Sequence, residues 1–260
     1  MATAASVQQS RWVLHSRANW SARDDRKSFV VWLALMWIGL LWGFGVNLRK
    51  AASAVPPKPT VVWIHGGVFA LWPVLLTLQI LLVVGERVGW HRKMGWVSVG
   101  WACVMLVMGP WAAVASQSQV LYGPSYDPPY LALQLGDIFL FALFLGWAVL
   151  TRKNVAVHKR LMILCTLPLM NAGFGRVSEW FWPHTPHSAA VWFVWSFYGE
   201  VVIVAMMLIL DWWRGNLLKQ FVAGTLVLVG VEWVEALLYF WKPWQDVTAQ
   251  WVATWARHAG

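Results

Sequence analysis

Apolar residues in this chain are gathered rather than dispersed. Seven runs, at 28–46, 61–84, 96–115, 131–150, 161–176, 189–210 and 217–241, approach the roughly 20 residues that carry a helix across a hydrocarbon core of about 30 Å. No water reaches that core, so each segment must satisfy its own backbone amides, and runs of this kind fold as helices. The pattern predicts an all-α, polytopic transmembrane helical bundle of about seven spans. A soluble domain is excluded by the same residues, because 59% of the chain is hydrophobic and only 12% is charged, about half the charged fraction of an ordinary soluble domain (about 25%).

Stop signals separate the runs: Pro56, Pro57 and Pro59; the 85–93 segment; 124–129, with prolines at both ends; 152–160; 183–188; and 211–216. The 161–176 run is short and carries Pro168, Asn171 and Arg176, which predicts a broken or tilted helix. Three regions follow: a basic, Trp-containing segment at 1–27, a seven-helix transmembrane domain at 28–241, and an amphipathic tail at 242–260. Residues 1–27 hold five basic residues and no apolar stretch before a small-residue cleavage site, so the first run is expected to stay as an anchor.

Loop charges predict the orientation. With alternate loops on opposite sides, 14 Lys and Arg residues fall with the N-terminus and 6 on the other side, placing the N-terminus in the cytoplasm and the C-terminus outside, as in a bacterial inner membrane. The net charge of +9 lies between apolar runs rather than along a basic stripe, so no nucleic-acid partner is expected. The chain has 23 tryptophans, including Trp32, Trp63, Trp96, Trp182, Trp212, Trp213, Trp241 and Trp244 near span ends, the headgroup level that amphipathic indoles prefer. The lipid bilayer is the first expected partner. Cys103 and Cys165 lie inside apolar runs without metal-ligand spacing and read as small core hydrophobes.

A short repeat is visible. His91-Arg-Lys-Met94 echoes His158-Lys-Arg-Leu161, each histidine following one run and opening the next. The pairing of His91-Arg-Lys-Met-Gly95 with the segment from Arg152 to Met162 and the later Arg176 resembles an uncharacterised family of bacterial polytopic predicted membrane proteins. That resemblance covers about 61–176 and implies a polytopic membrane fold alone. Histidines on successive hairpins also resemble those of membrane b-type cytochromes, in which paired imidazoles hold haem; here no two His pairs stand at matched depth.

Two places are expected to carry chemistry. On the inner side, His91 and His158 are candidate haem b ligands, or helix-end groups contacting lipid phosphate. His65 and His91 are roughly 39 Å apart by helix rise, too far to share a centre. In the outer half, His65, Asp137, Arg176, Glu200, Glu232 and Glu235 fall within spans. Ionisable groups at such depth are expensive and turn inward, which marks a proton or ion pathway. Alternatively, Arg176 pairs with Asp137 or Glu235 in a structural network, or His65 joins carboxylates around a metal. Glu232 and Glu235, three apart, share a helix face. His184 and His187, beside Glu179, form a second metal candidate, weakened by Pro183 and Pro186.

No Gly-rich phosphate loop, nucleophile elbow or zinc-protease helix is present. The expected function is electron or proton transfer within the membrane. The alternatives are a small proton-coupled or metal-ion transporter, and a structural subunit of a larger membrane complex, the last suggested by the Trp-rich rims and by Gly173 and Gly175.

Overall fold

The computed structural model describes residues 13–16, 24–55, 57–58, 60–121, 126–181 and 197–259. In chain order the elements are β1 (Val13–Ser16), α1 (Asp24–Ala52), α2 (Thr60–Val84), α3 (Val88–Gln119), a 3-10 turn (Pro128–Tyr130), α4 (Leu131–Leu150), α5 (Val155–Phe181), α6 (Tyr198–Trp213), β2 (Asn216–Leu218), α7 (Lys219–Phe240) and α8 (Lys242–Ala259). The fold is all-α apart from the two short strands. Among the described residues, five helices are long and apolar enough to cross a membrane: α1, α2, α3, α4 with the turn before it, and α7. Their outward faces carry large apolar side chains such as Leu41, Val107, Leu226 and Leu237, while Gln79, Asn171, Glu200 and Glu235 are buried. Apolar outside and polar inside is the arrangement that suits lipid as solvent.

Prolines sit inside three of the helices, Pro73 in α2, Pro110 in α3 and Pro168 in α5. Each lacks an N–H, so the carbonyl four residues earlier loses its helical donor. α5 nevertheless runs unbroken through Pro168 to Phe181, longer than the 161–176 run. The 184–187 turn lies outside the described residues.

The chain divides into two compact units, Met1–Gly43 with Leu143–Gly230, and Phe44–Ala142 with Val231–Gly260. In the first, α5 packs on α6, and the ring of Phe174 fills the space that two glycines leave open. A Cβ on Gly39 would fall 2.2 Å from the Phe174 ring, and so would one on Gly199. One turn beyond Gly39, a Cβ on Gly43 would fall 2.0 Å from the Gly173 carbonyl oxygen, so α1 and α5 meet backbone to backbone. Small residues four apart on one helix allow this approach, which stands in for the hydrophobic force that helices lack in lipid.

The same unit holds a buried ion pair. Arg160 Nε and Nη2 donate to the two Asp211 oxygens at 2.5 and 2.6 Å, with side chains only 1% and 9% exposed. Nearby, Arg214 donates to the Ser28 hydroxyl at 2.6 Å. β1 pairs antiparallel with β2 in the register Val13↔Leu218, His15↔Leu217 and Ser16↔Asn216, with a bulge between Val13 and His15. Gly215, at φ 66°, makes the turn between α6 and β2. The described part of the N-terminal segment is therefore a strand followed by the start of α1; residues 1–12 and 17–23 lie outside the described residues.

In the second unit α2 and α3 form an antiparallel hairpin. Its turn closes with Arg87 N–H on the Leu82 carbonyl at 2.8 Å, and Trp101 Nε1 donates across it to the Val68 carbonyl at 3.0 Å. Trp72 and Phe141 meet edge to face at 4.8 Å in the core. The expected tail is a helix, α8, packed on α3 and the 3-10 turn. Its buried Val252 joins Ala113 and Leu131, and Trp244 Nε1 donates to the Pro129 carbonyl at 3.1 Å.

Candidate functional site

On α7, Glu232, Glu235 and Tyr239 recur at intervals of three and four, which places them on one stripe of the helix. Glu232 is 7% exposed and Glu235 2%, whereas Trp233 and Leu237 on the other side are each 67% exposed. The stripe turns inward because a carboxylate facing hydrocarbon would cost several kcal/mol. A rise of about 1.5 Å per residue spreads the three groups over roughly 10 Å along the axis.

Glu235 is seated against the backbone of α4. A Cβ built on Gly136 would lie 1.8 Å from Glu235 Oε1 and 2.4 Å from its Cδ, so the carboxylate occupies the recess that only a glycine leaves. Asp137, half-buried, is the next residue of α4. Among the described residues, no three His, Cys, Asp or Glu side chains converge as a metal site. The carboxylates are stepped along the helix rather than gathered into a cage.

At the C-terminal end of the stripe, the Tyr239 hydroxyl donates to Asp127 Oδ2 at 3.0 Å. Asp127, in the loop before the 3-10 turn, also donates its backbone N–H to Gln117 Oε1 at 3.0 Å. Burial pushes the Asp127 carboxyl above its ordinary range, and the Tyr239 hydrogen bond partly opposes that shift. Gln245 of α8 donates to the Tyr239 carbonyl at 3.2 Å, tying the end of α7 to the helix that follows.

The other expected residues are distributed through the two units. Glu200, fully buried, is in the first turn of α6, and its chain neighbour Gly199 faces the Phe174 ring. Arg176 donates to the Ala172 carbonyl one turn back. His65, near the start of α2, lies with its ring 4.1 Å from that of Phe69, and its Nδ1 is buried with no hydrogen-bond partner among the described residues. His91 and His158 each take the fourth position of their helices, α3 and α5, and belong to different units. His158 Nδ1 lies 2.9 Å from the Ala148 carbonyl; a carbonyl only accepts, so Nδ1 carries the hydrogen. The His91 ring is hydrogen-bonded to the backbone of Gln79. His184, His187 and the Glu179 side chain lie outside the described residues.

Sequence reasoning missed three features. Tyr239 was legible as the next member of the Glu232–Glu235 stripe. Asp127 was not, because a loop residue's partner depends on where the loop lands. Arg160, in the 152–160 segment between runs, is buried against Asp211; the available signal was a cation opening one run and an acid closing the next, which puts both on the same side.

Comparison with protein-family models, with curated proteins and with solved structures finds no match, so a functional reading rests on this chain's own residues.

Proposed function

We propose that the protein is a proton-transfer component of a membrane, with Glu232 and Glu235 of α7 as its proton-carrying groups and Asp137 beside them. The observation that carries this reading is the seat of Glu235: a carboxylate buried inside a spanning helix, received by a glycine recess on the neighbouring helix, in line with a second buried carboxylate. Carboxylates at stepped depths pass protons by alternate protonation, and their separation suits a relay better than a cation cage. His65, in the same unit, is a further member; Glu200 and Arg176 belong to the other unit. The frame is a seven-span helical bundle in a bacterial inner membrane, N-terminus cytoplasmic and C-terminus external, with α5 and the 189–210 run as the spans beyond the five most apolar.

The experiment is proton flux into proteoliposomes holding the purified protein, followed with an entrapped pH-sensitive dye under an imposed potential. Glu235→Gln keeps the shape of the side chain and is expected to abolish flux while elution volume and helicity stay unchanged. Flux that survives Glu235→Gln and Glu232→Gln in a folded protein refutes the reading.

A second reading, electron transfer through b haem, draws on the ring orientation at His158. An imidazole whose Nδ1–H is held by a carbonyl presents Nε2 in a fixed direction, as oriented metal ligands do. Bound haem would supply one-electron chemistry, and His158 would help to hold it. Protein from haem-replete cells would then show a Soret band, lost in His158→Ala; a colourless folded preparation sinks this version and leaves the proton reading standing.

A further inference from the structure

A proton carried by Glu235 must reach water, and one face of α7 leads toward an exit. One turn beyond Glu235, and about 6 Å along the axis, stands Tyr239, whose hydroxyl already donates to Asp127. Asp127 is half-buried and precedes the first residue of the 3-10 turn, outside the apolar stretch that begins at Pro128. Its position is held from two directions. Gln117, at the end of α3, accepts its backbone N–H, and Tyr239 donates to its carboxylate. Trp244 on the Pro129 carbonyl and Gln245 on the Tyr239 carbonyl lock α8 over both partners. A hydrogen bond fixed by three elements costs little reorganisation each time it is used.

We propose that the Tyr239–Asp127 pair is the terminus through which the buried carboxylates of α7 exchange protons with the aqueous phase at that end of the molecule. This rests on the proton-transfer reading above. In outward transfer, Asp127 begins ionised. Its Oδ2 takes the phenolic proton of Tyr239, and the Tyr239 oxygen receives a proton from the Glu235 carboxyl through one bridging water. The O–H bonds broken and formed are equal in number, Tyr239 is a neutral phenol before and after, and the net change is Glu235 deprotonated and Asp127 protonated. Asp127 then releases its proton to water. A bridging water of this kind is a normal member of a relay. Among the described residues, the other ionisable side chains of its own segment are Tyr126 and Tyr130. On α8, Lys242 and Asp246 pair with each other on an exposed face.

The test uses full-length protein in proteoliposomes and compares wild type, Glu235→Gln, Tyr239→Phe, Asp127→Asn and Asp127→Glu. Tyr239→Phe keeps the ring and removes only the proton-bearing oxygen. It is expected to lower flux at least tenfold with elution volume and tryptophan emission unchanged. Asp127→Asn should do the same, and Asp127→Glu should restore most of the flux, a rescue that a packing role would not give. The wild-type rate should fall about twofold or more in deuterium oxide, and the residual Tyr239→Phe rate should lose that sensitivity. Flux that is stopped by Glu235→Gln but untouched by folded Tyr239→Phe and Asp127→Asn overturns this exit while leaving the proton reading intact. Absence of flux in the wild type overturns both.

Discussion

Replacing Asp211 by Asn takes a full negative charge away from a buried guanidinium. The two hydrogen bonds to Asp211, at 2.5 and 2.6 Å, are both charge-assisted, and neither side chain is as much as a tenth exposed. Asn has nearly the volume of Asp, so no cavity contributes, and the change isolates the electrostatic loss. Arg160 keeps its bond to the Ala156 carbonyl at 3.0 Å and the Phe29 ring 6.0 Å from its Cζ, but neither group carries a full negative charge. Removing one partner of a buried pair costs about 3–5 kcal/mol, whereas replacing both by apolar residues of similar volume is often neutral. Asp211→Asn and Arg160→Met should therefore each cost about 3–5 kcal/mol, and Arg160→Met with Asp211→Leu should lie within about 1 kcal/mol of wild type. Reversible unfolding in mixed micelles, followed by tryptophan emission, measures all three. Single variants that lose less than about 1 kcal/mol, or a double variant that loses as much as either single, would refute the account of Arg160 as a desolvated charge paired with Asp211.

Gly136→Ala places a Cβ 1.8 Å from Glu235 Oε1; it should cost about 1–3 kcal/mol of stability by overpacking and reduce proton flux, and Glu235→Ala in the same chain should restore the stability but not the flux. Gly43→Ala meets the Gly173 carbonyl oxygen at 2.0 Å, a backbone atom that cannot swing away, and should cost about 3 kcal/mol or more, whereas Gly45→Ala meets nothing within 4 Å and should be neutral or stabilising by about 0.5–1 kcal/mol in the same unfolding assay. Burial raises the folded-state pKa of Asp127 above its ordinary 3.8. The folded protein then binds that proton more tightly than the unfolded chain. The resulting stability is full below the ordinary carboxylate value and is lost as pH rises through the folded pKa. Unfolding scans over roughly pH 3–7 should show this decline, and Asp127→Asn should flatten it.

The helices that were easiest to read are those whose ends coincide with the change from apolar to polar sequence. The 131–150 run is α4 to the residue, and the 217–241 run differs from α7 by two residues at one end and one at the other. Where helix and apolar run part company, the reason is that a run measures contact with hydrocarbon and a helix does not stop there. α3 begins at Val88 rather than 96 because His91, Arg92 and Lys93 continue the helix as polar residues. α5 passes Pro168 because one missing N–H does not end a helix that neighbouring groups support. The inward stripe of α7 followed from periodicity alone. Its seat on Gly136, the Asp127 partner of Tyr239 and the Arg160–Asp211 pair depend on which helices become neighbours, and local pattern does not carry that information.

The way α1 is held has a bearing on how the chain is made. Its partners arrive late: the Gly39–Gly43 surface waits for α5, and Ser28 waits for Arg214, 186 residues downstream. At about 5–20 residues per second of synthesis, that interval is roughly 9–37 s. For most of that time the glycine surface of α1 still waits for Gly173 and Phe174. Its ribbon of two strands, Val13–Ser16 with Asn216–Leu218, closes only after α6 has emerged. α1 is thus secured late, and a chain interrupted before α5 would leave in the bilayer a helix whose glycine surface is open to the wrong partner.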